Sequence, residues 1–159
     1  MDISSRHHLR QDRIRDLNER FSRLFGVEVA GDQFEAVEFA DQSFRIILVD
    51  GEPWVIELPE GTVPTVHGAN ALQPAQRVVT VDQGAIPFVS DGADVMRPGI
   101  VDADEAISVD DPVVIAEETH GKILAIGIAK TDGADMMGDQ GKVVETIHYV
   151  GDDIYGFRP

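Results

Sequence analysis

The chain has 159 residues, enough for one or two modest cores, and its 43% hydrophobic and 26% charged composition belongs to a folding chain, not a disordered one. It holds no cysteine, which excludes disulfides, thiol nucleophiles and cysteine-ligated metal, and no apolar run near the roughly 18 residues of a membrane span. Acids outnumber bases 29 to 13, a net charge of -16 spread along the chain, which reads as the halophilic bias that keeps a protein dissolved in molar salt, an ordinary acidic protein being the alternative.

The first 25 residues depart from that bias. They carry six arginines against four acids, a local charge of +2 that leaves -18 on the remainder. The start lacks the apolar stretch of a secretory signal, so a cytoplasmic protein is expected. From residue 10 to 25, Ile14, Leu17, Phe21, Leu24 and Phe25 draw one apolar stripe down a helix, and Gly26 supplies its stop. Asp16 with Arg20, and Glu19 with Arg23, stand four residues apart in the favourable acid-before-base order, so both are expected to pair. The arginine face reads as solvated and salt-bridged, with RNA contact as the second reading.

Strand patterns follow at Phe34 to Phe39, Phe44 to Val49 and Trp54 to Leu58, the last two joined by the hairpin turn Asp50-Gly51. Residues 64 to 72 suit a short helix, and Pro74 breaks the chain, placing a domain boundary near residues 73 to 76. Beyond it, residues 77–81 form a β run and 84–90 a helical turn. Residues 112–117, 122–129 and 143–150 are further strands. Short strands set off by Gly and Pro, with little helix, indicate a small barrel or sandwich.

The sequence offers no reaction centre. Gly138-Asp139-Gln140-Gly141-Lys142 imitates a phosphate loop, but Met136 stands at the first glycine position and Val143 where a magnesium-holding Ser or Thr belongs. Glu117, Glu118 and His120 are the only local acid–imidazole cluster, and their spacing specifies no metal site. His148, within a strand, reads as a partly buried residue rather than a base, and no serine lies in a Gly-x-Ser-x-Gly elbow. No catalytic residue, metal or cofactor is expected.

The segments Val81-Asp82-Gln83-Gly84-Ala85-Ile86-Pro87-Phe88-Val89 and Gly92-Ala93-Asp94-Val95-Met96-Arg97-Pro98-Gly99-Ile100 resemble the opening of PUA domains. Val113 to Ala116 and Leu124 to Ala129 look like the strands that close the same barrel. Gly141-Lys142 with Glu145-Thr146-Ile147-His148-Tyr149 is similar to the family of the malignant T-cell-amplified-sequence proteins and their archaeal relatives. The resemblance implies an α+β protein: a small N-terminal α/β domain (1–75), then a C-terminal PUA-type β-barrel (76–159) that binds RNA. It carries the RNA face onto Gly84, Ala85, Arg97, Pro98, Lys130 and, more weakly, Lys142. Independently of the family, the helical turn opening at Gly84 is expected to present unpaired amide N–H groups to a phosphate. The implied function is contact with ribosomal or transfer RNA in translation, with a protein partner held by the N-terminal domain. The alternatives are a non-catalytic RNA-delivery subunit of an RNA-modifying enzyme and a protein-interaction module without RNA binding. Neither membrane nor small-molecule substrate is implied.

Overall fold

The computed structural model describes all residues from Met1 to Pro159. Strand β1 (Ile3–His8) leads into helix α1 (Gln11–Phe25), whose Leu17, Phe21, Leu24 and Phe25 are buried along the expected stripe. Gly26, at φ 69°, takes the left-handed turn that ends α1 and returns its N–H to the Ser22 carbonyl. Strands β2 (Phe34–Phe39), β3 (Arg45–Val49), β4 (Glu52–Leu58) and β5 (Gly61–Pro64) complete a five-stranded antiparallel sheet in the order β1-β2-β3-β4-β5. Asp50 and Gly51, with φ 50° and 85°, are both left-handed, the turn that matches the twist of a two-residue hairpin. Helix α2 (Val66–Leu72) follows, capped by the Thr65 hydroxyl, which accepts from the Gly68 amide at 2.9 Å.

A second sheet is built from β6 (Val78–Val81), β7 (Val95–Met96), β8 (Ile100–Ala103), β9 (Pro112–Glu117), β10 (Ile123–Ala129) and β11 (Lys142–Tyr149). A 3₁₀ turn (Gln83–Ala85) runs into helix α3 (Ile86–Val89), and helix α4 (Asp153–Gly156) lies near the C-terminus. The strand order is β7-β11-β10-β9-β6-β8, with β6 parallel to β9 and every other pairing antiparallel. Only Arg97–Gly99 separates the two edge strands β7 and β8, a link that spans no more than about 14 Å. The sheet therefore curls until its edges nearly meet, giving an almost closed barrel.

Strand β9 explains how the sheets are joined. All six of its residues are buried, so it is covered on both faces. Val113 and Ile115 point into the barrel core with Val79, Ala125 and Val144, whereas Val114 and Ala116 join Phe21, Val55 and Val66 in a core shared with the first sheet. The outer face of the first sheet is closed by the C-terminal tail, where the Phe157 ring meets Phe39 edge to face at 5.3 Å. His148 of β11 is fully buried. Its Nε2 accepts the Val66 amide at 3.0 Å, so the ring is the neutral tautomer whose Nδ1–H donates to Asp152 at 2.8 Å.

One sequence expectation needs correction, and one strand went unread. Neither Asp16–Arg20 nor Glu19–Arg23 forms an ion pair; Arg20 turns instead toward β5, where its Nε donates to the Thr62 carbonyl at 2.8 Å. Strand β1 is invisible to hydrophobic periodicity because five of its six residues are exposed on a sheet edge. It is held by backbone pairing and by cross-strand contacts such as Arg6–Glu35 at 2.7 Å.

Candidate nucleic-acid interface

The sequence segment 82–99 builds one concave surface. The 3₁₀ turn and α3 form one wall, β7 and the turn Arg97–Gly99 the other, and the Asp82 amide donates to the Gly99 carbonyl at 2.9 Å across the base. The resulting hollow, of about 410 Å³, is lined by Gly84, Ala85, Val89, Pro98 and Gly99. Phe88, with 68% of its surface exposed, and Met96, with 49%, also line it. Large apolar side chains left this bare beside small residues are an exposed apolar surface, not part of the core.

The turn at Gly84 offers fewer unpaired amides than the sequence led one to expect, because those on either side of Gly84 are taken within the molecule. Asp82 caps it, its Oδ1 accepting from the Ala85 amide at 3.0 Å, and the Gln83 amide reaches Glu118 Oε1 at 3.3 Å. The capping acid was readable in Asp82-Gln83-Gly84-Ala85 as an Asx at the N-cap, three residues before the amide it satisfies. These carboxylates satisfy the amides of Gln83 and Ala85 and set negative charge beside the hollow.

The basic residues singled out from the sequence converge at the start of β11. The Arg97 amide donates to the Gly141 carbonyl and the Lys130 amide to the Val143 carbonyl, which sets both beside Lys142. Their side chains are engaged within the molecule. Lys142 Nζ lies 3.4 Å from Asp94, a carboxylate that also accepts the Thr146 amide and lines the hollow. Lys130 Nζ is 3.0 Å from Glu145, whose hydrogen bond raises the lysine pKa above its ordinary value. Arg97 braces a loop: Nε and Nη1 donate to the carbonyls of Asp135 at 2.9 Å and Gln140 at 3.0 Å. Gly138 and Gly141 lie against its chain. Gly84, Ala85 and Pro98 thus line the hollow, while Arg97, Lys130 and Lys142 frame the adjoining strand end.

Phe88 and Met96 escaped the sequence reading because an apolar side chain in a strand or helix reads as core by default. The acid–imidazole cluster resolves into a loop closure. Buried Glu117 accepts the amides of Lys122, His120 and Thr119, bonds that hold its pKa below the usual carboxylate range. No helix is long and apolar enough to cross a membrane.

Residues 77–150 match the family model described as PUA domain. An uncharacterized protein of Methanocaldococcus jannaschii is 38% identical over 161 residues, covering 99% of both chains. Translation machinery-associated protein 20 of Eremothecium gossypii is 32% identical, over 79% of this chain and 72% of its own length. Malignant T-cell-amplified sequence 1 of Rattus norvegicus is 30% identical, over 74% and 67%. Among solved structures, a hypothetical protein of Pyrococcus horikoshii superposes with a TM-score of 0.88 at 36% identity, covering 96% of this chain and 98% of its own. A conserved PUA domain protein of Thermoplasma acidophilum gives 0.84 at 29%, over 98% and 100%.

Proposed function

Because the chain belongs to the PUA-domain family that includes translation machinery-associated protein 20 and the malignant T-cell-amplified sequence proteins, we propose that it binds ribosomal or transfer RNA in translation, as a cytoplasmic protein without catalysis of its own. Residues 76–159 are the RNA-binding unit and residues 1–75 an α/β unit that presents it to a protein partner. The hollow between α3 and β7 receives an unpaired nucleoside. Its base stacks on Phe88 and Met96, and its sugar edge passes over Gly84, Ala85 and Pro98, where the absence of bulk allows close approach. Lys130 and Lys142, at the start of β11, accompany the backbone on either side.

The carrying observation is the bare Phe88 ring beside an apolar hollow in a chain whose net charge disfavours phosphate recognition. At molar salt the Debye length is about 3 Å. Binding then rests on stacking and shape rather than on counterion release. Each stacked base contributes about 1–3 kcal/mol, so Phe88→Ala is expected to weaken binding of a single-stranded RNA oligonucleotide about tenfold or more in molar KCl. Lys122→Ala, remote from the hollow, leaves it unchanged. Fluorescence anisotropy measures both, and equal effects of the two substitutions would exclude this face.

A further inference from the structure

A second cleft, of about 600 Å³, opens between the two sheets, away from the Phe88 hollow. Arg20 and Arg23, one helical turn apart on α1, line it from the first half of the chain, and Asp110 and Asp111 line it from the segment entering β9. Leu58, Ile128 and Ile147, all partly exposed, contribute apolar surface. Asp111 is satisfied by Arg77 Nε at 3.0 Å. Arg20, Arg23, Glu60 and Asp110 have no ion-pair partner, although most bases of the chain do. Two unpaired cations and two unpaired anions therefore face one cleft without meeting each other.

Arg20 is seated, not merely solvated. Its Nε is fixed by the Thr62 carbonyl, and its guanidinium lies over Gly61, where a Cβ would come within 2.6 Å of Cζ. The Thr62 hydroxyl beside it is buried with no partner. Partial burial, with the charge of Arg23 adding to it, lowers the Arg20 pKa from its ordinary value. The charge of an incoming carboxylate offsets both effects, and its two oxygens match the planar fork of the guanidinium.

We propose that this cleft docks an extended segment of a protein partner, with a carboxylate on Arg20 and Arg23, an apolar side chain against Leu58 and Ile147, and a basic side chain toward Glu60 and Asp110. A protein strand fits better than a nucleic-acid strand. The unpaired charges of the cleft cancel, so a polyanion gains no net attraction and meets Glu60 and Asp110, whereas a mixed-charge peptide finds a complement at each end. The site is separate from the RNA face and stands whether or not that reading holds.

A displayed random-heptapeptide library, panned on the full chain and counter-selected on the Arg20→Gln/Arg23→Gln double variant, tests it. Recovered peptides are expected to carry an acid next to an apolar residue and to bind the double variant about tenfold more weakly, while that variant still unfolds cooperatively. They should bind Phe88→Ala as well as the parent, and a uridine decamer should not displace them. Glu60→Lys, which leaves Arg20 in place, should lose the basic half of the recovered pattern. Recovery of no peptide, equal binding to the double variant, or displacement by the decamer overturns the proposal.

Discussion

His148 and Asp152 illustrate how one polar pair is fixed inside an apolar interface. The imidazole is an acceptor toward Val66 and a donor toward Asp152, so replacing it with leucine strands a buried amide and a carboxylate together. A loss on the order of 3 kcal/mol is expected for His148→Leu, read from urea unfolding. Burial pushes the Asp152 carboxyl up, but hydrogen bonds from His148 and the amides of Tyr155 and Tyr149 more than offset this and hold it below the ordinary range. A depressed folded pKa gives stability that is complete above the unfolded value, about 4, and is lost as pH falls through the folded value. Asp152→Asn should therefore lower stability at neutral pH and flatten its decline between about pH 5 and 2. A decline as steep as the parent's would place the acid sensitivity elsewhere.

At the scale of elements, what the sequence disclosed followed burial. Strands β2, β3, β4, β9 and β10 and helix α1 carry their buried residues in unbroken or periodic runs, and their bounds lie within one or two residues of the patterns. Strands β1, β5, β7 and β8 escaped because they are short or exposed, and only pairing with a distant partner defines them. The same limit applied to side chains. Gly84, Ala85 and Pro98 reach the hollow because local chain geometry puts them there, whereas the engagements of Arg97 span 38 and 43 residues and no local pattern encodes them. Those engagements give Arg97 a bracing role in the loop that precedes β11. Arg97→Ala should speed amide hydrogen exchange across residues 133–141 while leaving β9 and β10 protected. Uniform loss of protection would mean that the whole barrel depends on this side chain.

For the whole molecule, charge is the dominant variable. Seven basic side chains form ion pairs, so most of the 29 acids lack an ion-pair partner and repel one another. We expect the melting temperature to climb as KCl is raised from millimolar to molar concentration and then level off once screening is complete; a melt indifferent to salt would remove the halophilic reading. The doubly buried β9 works at the same scale. Val113 and Ile115 serve one core while Val114 and Ala116 serve the other, so no residue of that strand can shift without disturbing both. The Phe88 hollow and the Arg20 cleft are consequently carried on elements packed through one shared strand. On the two proposals made above, an RNA and a protein held at the two seats would be kept at a constant spacing, as by a spacer block rather than a tether.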